Sequence, residues 1–137
     1  MTEASAGHTL RGNIKTVFPR AHFQRFEDSM SVGIPDANFC WDGHEVWLEA
    51  KKVKAYPKRD TSKVVGGLSF EQRAWLLKRE ASGGRVYVWC RAPDGWYLFK
   101  SSQFRELVVG MTLAEWRACL CFKTSIALLE AIKGELT

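Results

Sequence analysis

The sequence predicts one α/β domain, and three observations carry that prediction. Helix-like and strand-like periodicities alternate along the chain, as helix, hairpin, helix, hairpin and helix. A length of 137 residues suits one domain with one core. A hydrophobic content of 46%, with 12% aromatics and 26% charged residues, is the mix of a folded chain and not of a disordered tail. No apolar run approaches the length of a membrane span, and Met1 to Gly7 lacks the basic-then-apolar order of a signal peptide. A cytoplasmic protein with no membrane partner is expected.

The elements follow in order. Thr9 can cap a first helix that places Leu10, Ile14, Val17 and Phe18 on one face and Arg11 and Lys15 on the other, ending at Phe18-Pro19. A weakly alternating strand runs from His22 to Glu27. Ala37 to Trp41 and His44 to Ala50 are strand-like runs joined by Asp42-Gly43, a pair suited to a two-residue type I′ turn. That turn sets a register. Trp41 pairs with His44, Phe39 with Val46 and Ala37 with Leu48, so these apolar pairs share a core face. On the other face Asn38 meets Trp47, Asp36 comes opposite Glu49, and Lys51 follows two residues beyond Glu49.

The segment from Lys51 to Gly67 is polar and basic, and reads as a long, mobile loop. Ser69-Phe70-Glu71-Gln72 is a capping box that opens a helix with a buried stripe of Phe70, Ala74, Leu77 and Ala81, stopped by Gly83-Gly84. Arg85 to Arg91 and Trp96 to Phe99 form a second hairpin turned by Ala92-Pro93-Asp94-Gly95. The remainder reads as helical. Thr112 to Glu115 is a second capping box with Met111 and Trp116 as its hydrophobic staple, and Gly134 closes the region. The six tryptophans fall mostly at periodic core positions. Cys40, Cys90, Cys119 and Cys121 have no CxxC or zinc-like spacing and read as buried reduced thiols.

Two carboxylates facing each other across a strand pair repel, and Asp36 and Glu49 with Lys51 nearby call for an offsetting charge. Magnesium or manganese supplies one, because these hard cations take carboxylate and carbonyl oxygens and keep several waters. The bland alternative is a solvated surface ion pair at strand ends. Spacing alone does not decide, since a Pro-Asp followed by acid-x-Lys arises by chance in about one chain in twenty. The hairpin register does, because it predicts convergence that a chance match lacks.

Gly33-Ile34-Pro35-Asp36, twelve intervening residues and Glu49-Ala50-Lys51 resemble the signature of the PD-(D/E)XK nucleases. Leu68 to Leu77 resembles the glutamine-bearing helix of their Holliday junction resolvase-like and VRR-NUC branches. The resemblance spans about Arg25 to Phe99 and implies a restriction-endonuclease-like mixed β-sheet flanked by α-helices over residues 1–137. It implies that Asp36, Glu49 and the Ala50 carbonyl hold the metal, that Lys51 is catalytic, and that Gln72 sits beside the site. Many relatives add an acid from the first helix, which here carries none. Glu27 and Glu3 are the candidates. For Gln72 the capping box is a sufficient explanation by itself, and both uses stay open.

A net charge of +5 makes an anionic partner plausible. Lys51, Lys52, Lys54, Lys58, Arg59 and Lys63, against the single acid Asp60, form a stretch able to grip a phosphate backbone without reading bases, and Arg11 and Lys15 extend the basic surface. The expected activity is hydrolysis of DNA phosphodiesters with Mg2+ or Mn2+, on branched DNA such as four-way junctions or flaps. A chain this small, with no base-reading motif, has little surface for reading a long sequence. A homodimer would match a symmetric junction. A sequence-selective restriction-type nuclease and a non-catalytic DNA-binding protein of the same fold are the alternatives. A dinucleotide or nucleotide enzyme is excluded for want of GxGxxG or GxxxxGK.

Overall fold

The protein is seen in a computed structural model that describes residues 3–26 and 33–137, with side chains from residue 10 onward. Its first hairpin is the one read from the sequence. Strand β2 (Ala37–Trp41) turns into β3 (His44–Lys52) through Asp42 and Gly43 at φ 48° and 81°. Two positive φ angles define a type I′ turn, whose twist matches that of the strands. The expected pairs Trp41 with His44, Phe39 with Val46, Asn38 with Trp47 and Ala37 with Leu48 all form. Strand β1 (His22–Arg25) pairs antiparallel with β2, so the predicted strand ends two residues early; Glu27 lies outside the described residues.

Beyond β3 the chain makes a short strand β4 (Lys63–Val64), helix α2 (Phe70–Ala81), strand β5 (Arg85–Ala92) and strand β6 (Gly95–Phe99). A two-residue turn at Pro93-Asp94 closes the second hairpin, with Ala92 paired to Gly95. β5 pairs parallel with β3 and antiparallel with β6. After a 3₁₀ turn come α3 (Phe104–Val109), β7 (Met111–Thr112), α4 (Leu113–Arg117), β8 (Cys121–Phe122) and α5 (Ser125–Leu136). The main sheet is mixed and runs β1-β2-β3-β5-β6-β8, while β4 and β7 form a two-stranded sheet of their own.

Hydrophobic packing lies on both faces of the main sheet. Helices α1 (Glu3–Val17) and α5 cover one face, where Leu10, Ile14, Val17, Phe18 and Leu128 pack on Phe39, Val46, Leu48 and Trp89. Helices α2, α3 and α4 cover the other, where Leu76, Phe104, Leu107 and Trp116 pack on Trp47, Val88, Tyr97 and Phe99. Each such buried side chain contributes about 1.5–3 kcal/mol. The single expected core is thus two clusters divided by the sheet.

Several expectations need correction. α1 begins at Glu3, not after a Thr9 cap. The C-terminal region is not all helix, since β7 and β8 interrupt it, and Gly134 lies inside α5. Of the stripe assigned to α2 only Leu77 packs against the core, half-buried, while Phe70 is 70% exposed and Ala74 and Ala81 are exposed as well. The helix turns Leu76 and Gln72 inward instead, with Trp75 edge-on to Trp47 at 4.7 Å. Of the thiols only Cys90 is buried; Cys40 and Cys121 are exposed and Cys119 is intermediate.

The segment expected to be a long, mobile loop is tied down. Lys51 and Lys52 belong to β3, and Val53 extends its pairing by donating to the Arg91 carbonyl. The carbonyls of Ser62 and Asp60 accept the Leu113 and Ala114 amides, which the start of α4 would otherwise leave unpaired. The Tyr56 hydroxyl donates to Asp94 at 2.5 Å and accepts from the indole of Trp116 at 2.8 Å. Tyr56→Phe removes both bonds and leaves a buried indole N–H unpaired, so the chain should lose about 1–3 kcal/mol in urea unfolding. Trypsin should also cut faster at Lys54, Lys58 and Arg59. Unchanged stability and cleavage would show that the network does not hold the segment.

Candidate active site

The β2–β3 ladder stops at Ala37 and Leu48 because the next residues but one on the β2 side bring in Pro35, which has no amide to donate. Asp36 takes over. Its Oδ2 accepts the Ala50 amide at 2.8 Å, so the carboxylate continues the ladder one step past the paired backbone. The same register sets Asp36 opposite Glu49. The Asp36 carbonyl accepts the Phe26 amide at 2.7 Å, which fixes the segment from the other side.

Glu49 is 2% exposed. Its Oε2 accepts from the Lys51 ammonium at 2.9 Å and from Gln72 Nε2 at 3.0 Å, whereas its Oε1 is buried without a hydrogen-bond partner. Burial, and then repulsion from Asp36, push the Glu49 carboxyl up to about 7, with Lys51 pulling the other way. Gln72 makes a capping contact and a contact with Glu49 at once. Its Oε1 accepts the Ser69 amide to complete the capping box, and its Nε2 faces Glu49.

Two glycines let the surrounding segments close on this cluster. Gly33, at φ 89°, lies so near the first turn of α2 that a Cβ would sit 2.6 Å from the Glu71 carbonyl oxygen. It therefore docks the Asp36 segment against the Gln72 helix. Gly67, at φ 79°, passes over the Lys51 stem, with a Cβ position 3.9 Å from Lys51 Cδ.

Asp36, Glu49, Lys51 and Gln72 thus come together, with Ala50 between the two ends of the motif. Lys52, Lys54, Lys58, Arg59 and Lys63 are all exposed along the segment that leaves β3. Arg11 and Lys15 are exposed on α1, which packs against the opposite face of the sheet from Glu49, and so do not join the site. Glu27 lies outside the described residues, as does the side chain of Glu3, whose backbone is the first residue of α1. Among the described residues no group of three or more His, Cys, Asp or Glu converges. The Cys90 thiol is the register partner of Lys51, but burial pushes it up to about 12, so it packs as a neutral group. Sequence reasoning missed Gly33 and Tyr56 as positioning residues. A glycine three residues before Asp36 was the available signal for the first; Tyr56 had none.

No protein-family profile matches the chain. No curated protein matches it either. Among solved structures it is similar to a Holliday junction resolvase from the archaeal hyperthermophile Archaeoglobus fulgidus, with a TM-score of 0.53 and 15% sequence identity over 82% of this chain and 98% of that one. The fold is therefore the resolvase and restriction-endonuclease-like one, a mixed sheet flanked by helices.

Glu49 creates a pH dependence. Below about pH 4.5 the acid is protonated in folded and unfolded chains alike and costs nothing. As pH rises through about 7, the folded chain must hold a charge that the unfolded chain carries freely in water, and the stability present at low pH is lost. A rise from 4.5 to about 7 corresponds to about 3 kcal/mol. Glu49→Gln keeps the shape and the acceptor, so without metal it should exceed the wild type in stability by up to about 3 kcal/mol near pH 8.5 and by nothing near pH 4.5. Urea unfolding at both pH values measures this, and equal stability at the higher pH would contradict the placement of a strained carboxylate there.

Proposed function

We propose that the chain is a metal-dependent endodeoxyribonuclease of the PD-(D/E)XK kind, in the resolvase-like branch, that hydrolyses phosphodiester bonds in branched DNA. The observation that carries this reading is the cluster of a buried Glu49 with the half-buried Asp36, Lys51 and Gln72. It lies on a fold shared with a protein described as a Holliday junction resolvase. A carboxylate that is 2% exposed, faces a second carboxylate and keeps one oxygen unpartnered is costly even with the Lys51 ammonium beside it, and a further cation would offset that cost. The donors fit a hard divalent ion, Mg2+ or Mn2+.

In this reading Asp36 and Glu49 hold the metal, together with the Ala50 carbonyl, which leaves its strand on the same edge as the amide bonded to Asp36. The bound ion would polarise the phosphoryl group and make hydroxide available from water near neutral pH. Lys51 sets its ammonium where negative charge grows on the phosphate, and can hold the attacking water. Gln72 fixes the Glu49 carboxylate by one oxygen and leaves the other free. Hydrolysis then proceeds by in-line displacement of a sugar oxygen, with no covalent intermediate on the protein.

The exposed Lys52, Lys54, Lys58, Arg59 and Lys63 would supply salt-sensitive phosphate contacts that carry no sequence information. Arg11 and Lys15 would meet only DNA that wraps past the edge of the sheet. No helix among the described residues is long and apolar enough to cross a membrane. A homodimer presenting two sites to the two-fold symmetry of a four-way junction would complete the arrangement.

Incubation with linear, nicked, flapped and four-way DNA in magnesium or manganese should show cleavage that favours the branched forms. Asp36→Asn and Glu49→Gln should each remove it while leaving the chain folded. Lys51→Ala should lower turnover about a hundredfold or more with little change in metal affinity, because the ammonium acts on the transition state. Wild-type rates in either carboxamide variant would overturn the site, and faster cutting of one linear sequence would assign a restriction-type enzyme instead.

A further inference from the structure

Helix α2 does not touch β3 at Glu49 alone. Gln72, Trp75 and Arg79 are spaced by three and four residues, which puts them on one face of the helix, and Glu45, Trp47 and Glu49 alternate along one face of β3. The two rows meet in three rungs. Gln72 Nε2 donates to Glu49 Oε2 at 3.0 Å, Trp75 stands edge-on to Trp47 at 4.7 Å, and Arg79 Nε donates to Glu45 Oε1 at 2.9 Å. The helix therefore runs antiparallel to the strand, with the candidate active site as its first rung. Seven helical residues rise about 10.5 Å while four strand residues span about 13 Å, so the last rung needs a long side chain. Arginine supplies it.

The second and third rungs interlock. The Arg79 guanidinium lies 5.1 Å from the centre of the Trp47 ring and 5.6 Å from that of Trp75, and its Nη2 reaches Glu45 Oε1 at 2.8 Å. The same oxygen accepts the Trp47 indole N–H. These bonds from Trp47 and Arg79 hold the Glu45 carboxyl below its usual range, so it stays charged. On its other side Trp47 is stacked by Phe26 at 5.5 Å. Ring edges, cation–π contacts and charged hydrogen bonds depend on direction, whereas the fully buried Leu76 of the same helix packs by a non-directional hydrophobic contact. Gln72 has little freedom of its own. Its Oε1 is bound to the Ser69 amide, so its Nε2 meets Glu49 only where the helix delivers it.

We propose that Trp75 and Arg79 are positioning residues for the candidate site. By gripping Trp47 and Glu45 they fix the rotation of α2, hold Gln72 on one oxygen of Glu49 and keep the unpaired oxygen in place for the cation. The proposal rests on the nuclease reading for its metal. It deepens that reading by naming the contacts, as far as seven helical residues from Gln72, on which the geometry of Glu49 depends.

The test reads the Gln72 contact itself, by NMR of the 15N-labelled side-chain amides in the metal-free protein, together with manganese affinity by titration calorimetry. In the wild type the Gln72 amide protons that face Glu49 should be protected from exchange with water. Trp75→Ala should remove that protection and weaken manganese binding about tenfold or more, the usual effect of losing a group that supports a metal ligand. Arg79→Ala, at an exposed position, should move both readings in the same direction, and Trp75→Phe, which keeps an edge-on ring, should restore both. Leu77→Ala is the control. It shortens another half-buried α2 side chain, one that packs in the core, and should lower stability while leaving protection and affinity at wild-type values. Wild-type protection and affinity in both Trp75→Ala and Arg79→Ala would overturn the proposal and leave the nuclease reading standing. Equal losses in Leu77→Ala would reduce the two residues to general packing and overturn it as well. If the wild type binds no manganese, the nuclease reading falls, and the loss or survival of Gln72 protection in the variants alone decides the positioning role.

Discussion

Parallel pairing of β3 with β5 obliges the chain to leave the sheet at the end of β3, cross one face and re-enter at the start of β5, because no hairpin can join parallel strands. Helix α2 makes that return, so its first turn comes down over the last residues of β3. The arrangement places Gln72 above Glu49 and lets Gly33 meet Glu71 at close range. It also accounts for a buried carboxylate at the end of a strand, since the crossover covers the face on which Glu49 and Lys51 project. The partial positive charge at the start of α2 lies on the same side as the two acids, a favourable orientation for them.

The cluster is held at a cost in stability. Two carboxylates are brought together by one ladder step, one of them 2% exposed, with Lys51 paired to that one and its Oε1 left without a hydrogen-bond partner. Elsewhere both capping boxes are complete, the α4 amides reach loop carbonyls, and Tyr56 ties the basic segment to Asp94 and Trp116, although Arg73 Nε and Glu106 Oε2 are also buried without a hydrogen-bond partner. A buried carboxylate facing a second one is a costly arrangement of the kind that functional sites hold.

Legibility in the sequence followed the strength of the local signal. The first hairpin could be read to the residue because Asp42-Gly43 admits one turn type, and that turn sets every pair after it. The approach of Asp36 to Glu49 came with it. Strands β4, β7 and β8 are two residues each and carry no periodicity, so the basic segment read as a loop and the C-terminal region as helix. The face of α2 was misjudged because hydrophobic spacing assumes that apolar residues turn inward. Here a polar contact, Gln72 to Glu49, helps set the rotation, and Phe70 is left outside. Arg11 and Lys15 were grouped with the loop cations by charge alone, which says nothing about which face of a sheet a helix covers.

The central claim is that Asp36 and Glu49 form a divalent-cation site on this fold. Calorimetric titration of the metal-free protein with manganese, in two buffers of different ionisation heat at about pH 6.5, addresses it directly. Binding should release protons, because Glu49 is partly protonated there before the ion arrives, and both binding and proton release should disappear in Glu49→Gln. Absence of binding to the wild type, or undiminished binding to Glu49→Gln, would contradict the claim.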